Sequence, residues 1–166
     1  MTSAAPAVPS ADRHFEDYVP GMSETFGPIA MTEAAIIEFA QRYDPQPMHT
    51  SPERAATGAF GGLIASGWHT VCVVMRELVL GYLAEGASLA SPGIDALRWL
   101  KPVRPGDSLH VRVTVVDATR SRSKPDRGMV RTSIEAINQH GEVVMSMTAM
   151  NLIRCREMDA GAASRG

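Results

Sequence analysis

Cysteine is scarce in this chain, and its two cysteines lie far apart. Cys72 falls in an apolar segment and Cys155 lies near the carboxyl end, so no Cys-x-x-Cys spacing is present. Metal centres and dithiol redox sites need clustered ligands at short spacing. The sequence therefore gives little support for a metal centre or a disulfide, and we expect Cys72 to pack as a small core residue.

Excess charge is missing too, since 18 acidic side chains nearly balance 16 basic ones. Aromatic residues make up only 5% of the chain, and no basic stripe accompanies them. Nucleic-acid binding needs a positive surface, commonly with aromatic rings for stacking. We therefore predict no nucleic-acid partner.

Long apolar runs are also absent. The stretch 63–83 carries Arg76 and Glu77, and Ser66 and His69 interrupt it further. Its clean runs stay far below the roughly 18 apolar residues of a membrane span. Residues 1–10 have neither a basic start nor an apolar run of signal-peptide length. These features predict no membrane association and a cytoplasmic location.

What the sequence does contain is enough apolar material for one domain with a proper core, because 45% of its 166 residues are hydrophobic. Residues 1–11 and 157–166 are rich in Ala, Ser, Gly and Pro without periodicity. That composition is typical of disordered tails. We expect a single folded domain at residues 12–156.

The segment 63–83 predicts a long central helix that is apolar on nearly every side and therefore enclosed by protein. Gly61, Gly62 and Gly67 cluster where this helix begins. The first N–H groups of a helix lack partners and carry partial positive charge, so this end can hold an oxyanion. A simpler explanation for Gly61 and Gly62 is that they let the backbone turn sharply.

Prolines shape the chain before this helix. Apolar residues at helical spacing predict an amphipathic helix over 33–43. Pro45 and Pro47 disfavour helical backbone in the residues before them, so residues 44–49 are predicted to form a stiff, non-helical bend. Residues 51–53, Ser-Pro-Glu, are typical of a helix start, and this short helix should end near Gly58.

The second half of the chain alternates with period two, which indicates strands. Strands are predicted near residues 22–29 and then, after a loop at 86–93, at 94–100, 109–115, 130–136 and 143–154. An antiparallel sheet of about five strands with one apolar helix to cover is an α+β fold. We expect the sheet to curl around the helix.

An acid and an imidazole, Asp44 and His49, lie on the predicted bend just before the glycine-rich turn. Held near one another they would share a water, which is the arrangement that general acid–base catalysis requires. Spacing alone leaves another interpretation open. An aspartate often simply ends a helix, and a histidine beside a proline is often a surface residue.

The surroundings of this pair resemble the MaoC-like dehydratase family, which includes the R-specific enoyl-CoA hydratases. Residues 44–52 read Asp-Pro-Gln-Pro-Met-His-Thr-Ser-Pro, residues 61–67 read Gly-Gly-Leu-Ile-Ala-Ser-Gly, and the similarity continues through residues 97–107 to the last strand. The resemblance implies the hot-dog fold, a curved antiparallel sheet wrapped around one long helix. It also implies that Asp44 and His49 are the catalytic pair of a D-x-N-P-x-H motif in which Gln46 replaces the family asparagine.

The resemblance assigns further roles. The family glycine whose N–H holds the thioester oxygen falls on Gly67, and the residue before it, often His in the family, is Ser66 here. Gln46, Ser66 and Gly62 are accordingly predicted to bind substrate. The implied reaction adds water to, or removes it from, a 2-enoyl or 3-hydroxyacyl thioester. The substrate would be an acyl-CoA or an acyl-carrier thioester, and no metal or redox cofactor would be required.

Other side chains fit this reaction less directly. The basic loop 120–128 contains Arg122 and Lys124, which either are simply solvated or dock the phosphates of CoA. His69 follows the predicted helix start, where a core role fits it better than a role in the site.

The sequence also leaves two alternative functions open and predicts an oligomer. Hot-dog proteins also include acyl-CoA thioesterases, and fold alone does not separate the two reactions. A non-catalytic acyl-thioester binding subunit is a further alternative, because Gln46 departs from the motif. Strand 143–154 carries apolar residues on both faces, which predicts a homodimer or larger homo-oligomer that covers the second face.

Overall fold

A computed structural model describes residues 8–156. Two short 3₁₀ turns, Ser10–Asp12 and Phe15–Asp17, come first. The strands and helices follow in the order β1 (Ser23–Ala30), α1 (Glu33–Tyr43), α2 (Pro47–Thr50), α3 (Pro52–Ala56), α4 (Gly67–Gly81), β2 (Ser88–Trp99), β3 (Ser108–Arg120), β4 (Arg127–Ile137) and β5 (Val143–Arg154). No helix in this part of the chain is long and apolar enough to cross a membrane.

The strands form one antiparallel sheet with the order β1-β3-β4-β5-β2. Register is set by alternation, because Ile134 of β4 lies opposite Val113 of β3 on one side and Met147 of β5 on the other, and all three side chains are buried. Val74 and Leu78 of α4 belong to the same core cluster as these strand residues. This curved sheet around one helix is the predicted α+β hot-dog fold.

Several boundaries agree with the sequence analysis. Helix α1 and strand β5 have the predicted bounds. Helix α3 begins as predicted, since the Ser51 side chain accepts a hydrogen bond from the N–H of Arg54 and Pro52 occupies the first turn. Local capping and turn signals are therefore enough to place these elements.

The central helix is shorter than predicted. Residues 63–66 are not helical, because the N–H of Ile64 donates to the Met48 carbonyl (3.1 Å) and that of Ala65 donates to the Val103 carbonyl (2.8 Å). Helix α4 then begins at Gly67, with Ser66 as its cap. The expectation of a helix enclosed on nearly every side was also wrong. Its outer face is exposed, with Trp68, Met75, Val79 and Leu80 each at least 44% accessible.

Cys72 lies on this exposed face and is not the core residue that its apolar neighbours predicted. Helical spacing explains the error. Residues 68, 72, 75 and 79 follow one another along a single stripe of α4, while His69, Thr70, Val74 and Leu78 point into the protein. A helix can be apolar all round and still bury one face only.

The predicted bend at residues 44–49 is partly helical. Pro47 keeps Gln46 extended (φ −77°, ψ 142°), as expected, but then serves as the first residue of the four-residue helix α2. Proline is well suited to this position because its missing N–H would have no partner there in any case. The restriction that proline places on the residue before it therefore holds for Gln46 and does not extend to residues 47–49.

The predicted loop at 86–93 belongs largely to β2, which begins at Ser88. Pairs such as Ser88↔Ile153 and Gly93↔Met150 join it to β5. An edge strand tolerates Pro92 because the side without a donor can face away from the sheet. Register shifts along β2 also broke the alternation that the prediction used.

The amino-terminal boundary differs from the prediction as well. Residues 8–11 were assigned to a disordered tail, yet Ser10–Asp12 forms a turn and the Arg13 Nε donates to the Val8 carbonyl at 2.9 Å. The buried Arg13 guanidinium is held by Glu24 of β1, which anchors this segment. Residues 1–7 and the predicted tail 157–166 lie outside the described residues.

Candidate active site

Asp44 and His49 meet because two consecutive helices turn them toward one another. Asp44 is the residue that ends α1, and His49 lies on α2. The His49 Nε2 is 3.5 Å from the Asp44 Oδ2. His49 is buried, whereas the Asp44 side chain keeps 20% of its surface exposed. At this separation the pair is too far apart for a good direct hydrogen bond, and a water beside the gap can reach both atoms.

The tautomer of His49 follows from its second contact. Its Nδ1 lies 2.8 Å from the Ile64 carbonyl oxygen. A carbonyl only accepts, so Nδ1 carries the hydrogen and donates it. In its neutral form the ring would therefore present the Nε2 lone pair toward Asp44, as a base for a water proton does.

Gln46 and Ser66 hold the two oxygens of the Asp44 carboxylate. The Gln46 amide donates to Oδ1 at 2.7 Å, and the Ser66 hydroxyl donates to Oδ2 at 2.7 Å. An ionised carboxylate only accepts, so the Ser66 hydroxyl donates to Asp44 while its oxygen accepts the N–H of Trp68 at 3.2 Å. The Gln46 bond first, and the Ser66 bond next, hold the pKa of Asp44 below its usual value. Asp44 is thus kept as an anion.

This arrangement refines the predicted roles of Gln46 and Ser66. Both were expected to bind substrate, which stays a prediction. The observed partner of each is Asp44. The extra methylene of glutamine relative to asparagine does not prevent the amide from reaching the carboxylate. The departure from the motif therefore retains an amide donor to the Asp44 carboxylate.

Gly67 is the first residue of α4, and it lies against a tryptophan. Among the described residues, no acceptor is bonded to its N–H, as expected at a helix start. A Cβ built on Gly67 would lie 2.3 Å from Cε2 of Trp99, so only glycine fits beneath the indole. The Trp99 ring in turn packs edge-on against Trp68, with centroids 5.3 Å apart.

Gly67 and His49 line the same cleft, which has a volume of about 250 Å³. Thr70 and the exposed Lys101 also border it. The remaining walls are largely apolar and come from Phe60, Ile64, Ala65, Trp99, Leu100, Pro102, Val103 and Val144. The cleft thus places an apolar space beside His49 and the amino terminus of α4, while Asp44, 3.5 Å from the His49 Nε2, does not itself line it.

Phe60 and Trp99 were not identified from the sequence. Each is a large aromatic side chain that stays more than 40% exposed, at 44% and 48%. Their positions beside the Gly-Gly turn and at the end of the predicted strand 94–100 were the available signal. An exposed aromatic residue next to a glycine-rich turn is worth treating as a candidate wall of a site.

The glycines before the helix serve the turn. Gly61 has φ +63° and Gly62 has φ +156°, and both values disfavour residues with a side chain. Gly62 does not line the cleft. The simpler explanation given for this pair is therefore supported, and a contact between Gly62 and substrate stays a prediction.

Arg122 and Lys124 are not brought to the cleft within one chain. They lie in the loop between β3 and β4, at the end of the sheet where Arg127 pairs with Arg154. The cleft includes Val144, which lies near the opposite end of β5. Docking of phosphates on this loop would require a second copy of the chain, and it stays a prediction.

His69 is buried next to the site without joining it. Its ring stacks on Phe39 with centroids 4.7 Å apart, and its Nδ1 has no hydrogen-bond partner among the described residues. Burial lowers the pKa of His69, so the neutral form is favoured. It does not line the cleft, in agreement with the core role expected for it. Within residues 8–156, no three His, Cys, Asp or Glu side chains are grouped to hold a metal ion.

The fold and the positions of Asp44, His49 and the start of α4 are those that the resemblance to hot-dog hydratases and dehydratases predicted. Comparison with family models agrees, since residues 17–138 match the MaoC like domain. The chain belongs to this family.

Individual relatives cover most of the chain. A MaoC-like dehydratase from Rhodospirillum rubrum has a solved structure with a TM-score of 0.82 and 40% identity, covering 87% of this chain and 99% of its own. The protein YdeM of Bacillus subtilis is 31% identical over 111 residues, 67% of this chain and 77% of that protein. The 3-hydroxyacyl-thioester dehydratase Z of Mycobacterium tuberculosis is 27% identical over 128 residues, 76% of this chain and 83% of its own length.

Proposed function

We propose that this protein is a hydro-lyase that adds water to a 2-enoyl thioester, or removes it from a 3-hydroxyacyl thioester. The observation that carries the proposal is the pair of facing acceptors, the His49 Nε2 and the Asp44 Oδ2, 3.5 Å apart beside an apolar cleft. Two acceptors at that distance are best satisfied by one water that donates to both. The related dehydratase Z carries the same reaction class in its name.

The hydrogen bonds around the pair suggest a different role for Asp44 and for His49. Asp44 is held as an anion, so it orients the water and does not take its proton. His49, with Nδ1 donating to Ile64, accepts that proton at Nε2. The water oxygen bonds to C3 of the enoyl group as the C2–C3 π electrons move toward the thioester. The proton held on the His49 Nε2 is then delivered to C2, which restores the neutral base, and dehydration follows the same steps in reverse.

Gly67 supplies the complementary donor. Negative charge develops on the thioester oxygen as water adds at C3, and an N–H at the start of a helix is suited to stabilise it. Ser66 links the Asp44–His49 pair to the start of α4, since it donates to Asp44 and caps α4. The water, the base and the oxyanion donor come from this chain and its solvent, so the proposed reaction uses no further cofactor.

One assay separates this proposal from its alternatives. Incubation with crotonyl-CoA should cause loss of enoyl absorbance without release of free thiol. Thiol release would instead indicate an acyl-CoA thioesterase. If neither signal appeared across acyl thioesters graded by chain length, a non-catalytic binding subunit would be the better description.

The role proposed for Gln46 predicts a measurable change in the pKa of Asp44. Gln46→Ala removes the donor to Oδ1, so the anion loses stabilisation and the Asp44 pKa should rise toward its usual value. Gln46→Asn keeps an amide on a shorter stem and should retain measurable activity. Carboxyl carbon-13 NMR titration reads the pKa directly. Gln41→Ala, at an exposed position on α1, is the matched control, and an unmoved Asp44 pKa in Gln46→Ala would contradict the assignment.

We also propose that the chain forms at least a homodimer, but on a different surface from the strand 143–154 that the sequence indicated. The second face of β5 is only partly exposed, so it is not the uncovered surface that was expected. Among the described residues, seven of the eleven exposed large apolar side chains instead lie on α4, on the edge strand β2 and on the residue after it. They are Trp68, Met75, Val79, Leu80, Ile94, Trp99 and Leu100. Exposed apolar side chains on a helix and on an open sheet edge are features of a subunit interface.

A pair of matched variants tests this assembly. Val79→Asp places a charge on the proposed interface and should yield monomers, whereas Val116→Asp on β3 should not, although both valines are 56% exposed. Light scattering after size exclusion gives the mass. Cys72 should also react faster with a thiol reagent in Val79→Asp, with buried Cys155 as an internal reference. A wild-type mass of 17.8 kDa at all concentrations would exclude the dimer.

A further inference from the structure

A second cleft adjoins the catalytic one. It has a volume of about 280 Å³ and shares Phe60 with the cleft that contains His49. Gln46, which holds Asp44, lines this second cleft as well. A molecule that extends out of the catalytic cleft across Phe60 therefore enters this neighbouring space, here called the α3 cleft.

The α3 cleft carries a cation without a counter-charge. Arg54 of α3 lines it and is exposed, and no carboxylate in residues 8–156 forms an ion pair with its guanidinium. The cation that borders the catalytic cleft, Lys101, is by contrast paired with Glu142. Of the two, Arg54 is the one available for a ligand anion.

The walls suit a chain of alternating methylene and amide groups. Apolar surface comes from Pro47, Met48, Ala55 and Ala59, and the Gln46 side chain adds an amide. The turn at Phe60 is itself fixed, since Arg104 donates to the Phe60 carbonyl at 2.7 Å. A guanidinium at the rim of such a groove matches a phosphate group at the end of a mostly neutral arm.

We propose that the α3 cleft holds the phosphopantetheine arm of the substrate's carrier, and that Arg54 binds its phosphate. This inference rests on the proposed function, because it assumes a thioester in the catalytic cleft. The phosphate would then be bound by the same copy of the chain that supplies Asp44 and His49. It would not be bound by Arg122 and Lys124, which lie at the far end of the sheet and would have to come from a second copy. Phosphopantetheine is common to CoA and to acyl-carrier proteins, so the site serves either.

Kinetics with two thioesters test the assignment. Crotonyl-CoA carries the phosphate, and the crotonyl thioester of N-acetylcysteamine lacks it. In Arg54→Ala the ratio of kcat/KM for the first to that for the second should fall about tenfold, as expected for the loss of one charged hydrogen bond. The fall should lie in KM and shrink at high salt. Arg42→Ala, which removes an exposed arginine that lines neither cleft, is the control.

Two results would overturn the inference. One is an equal loss with both thioesters in Arg54→Ala, or none with either. The other is a selective loss in the Arg122→Ala/Lys124→Ala variant, which would place the phosphate on the basic loop. Repeating the comparison with a crotonyl acyl-carrier protein identifies the carrier, because a selective fall with either carrier supports the site.

Binding measurements keep the inference separate from the reaction. Calorimetric titration should show that 4′-phosphopantetheine binds more tightly than pantetheine to the wild type, and that Arg54→Ala abolishes the difference. This result would support the site even if no thioester were turned over, in which case the proposed function alone would fail. Equal binding of the two compounds by the wild type, or no binding of either, would contradict the site.

Discussion

Asp44→Asn is expected to lower the turnover of crotonyl-CoA by a factor of about 10² to 10⁴, the usual contribution of a positioned acid–base group. The substitution keeps the size of the side chain and removes its charge. An amide cannot act as the anion that Gln46 and Ser66 hold, and it places a donor where the water must donate. Helix α1 should be unaffected, because its end depends on the Asp44 backbone N–H, which donates to Ala40.

His49→Ala is expected to cost a similar factor, and the double variant little more than either single one. Residues that act as a unit on one water give strongly non-additive losses. Steady-state kinetics with crotonyl-CoA, together with a thermal melt of each variant, separates loss of chemistry from loss of fold. His140→Ala, in the exposed turn before β5, serves as the control histidine.

Two outcomes would count against the shared water. Simple addition of the two losses would mean that Asp44 and His49 act at different steps. Unchanged turnover in either single variant would remove catalysis from this part of the chain altogether.

The elements that the sequence predicted well are those determined by neighbours in the chain. Helix α1 is bounded by the Thr32 cap and by Pro45, and β5 begins shortly after the turn at Gly141, so local signals are sufficient for both. Strand β2 is different. Its pairing with β5 passes through register shifts and includes Ala96 with φ +53°, and such irregularity is supported by the partner strand and not by local sequence.

In the candidate site, too, some features followed from local sequence and others depended on distant parts of the chain. The resemblance pointed to Asp44, His49 and Gly67, and the structure brings these residues to one place. It could not show what Gln46 and Ser66 bond, because the bond from Ser66 to Asp44 crosses 22 positions of the chain. The position of Arg122 and Lys124 also depends on sheet topology. A charge run near the end of one hairpin says nothing about which end of the sheet carries the cleft.

Composition could not predict which face of α4 is buried. The apolar character of Met75 and Val79 was visible in the sequence, but whether it meets the core or another subunit depends on which side the sheet covers. Hydrophobic pattern alone indicates that a side chain favours burial, and it does not indicate which surface would cover it.

Gly67→Ala is expected to lower turnover about 10²-fold through a steric effect alone. Alanine keeps the backbone N–H, so the oxyanion donor is still present. Its Cβ would meet the Trp99 ring at 2.3 Å, which forces the indole or the start of α4 to move, and small misplacements in a site can cost a factor of this size. The second variant Gly67→Ala/Trp99→Ala removes the collision and should recover most of the activity of Trp99→Ala.

Gly67→Pro, made in the same Trp99→Ala background, isolates the N–H. Proline is favourable at the first position of a helix, and the preceding Ser66 already has the extended backbone that proline requires, with ψ 140°. The fold should therefore survive while the donor to the thioester oxygen is lost. Relative to Gly67→Ala in that background, kcat should fall by about 10² to 10³, or ~2.7–4 kcal/mol, the cost of removing one oxyanion donor. Equal kcat values for the proline and alanine variants, with matched thermal melts, would show that Gly67 shapes the cleft and does not stabilise the developing charge.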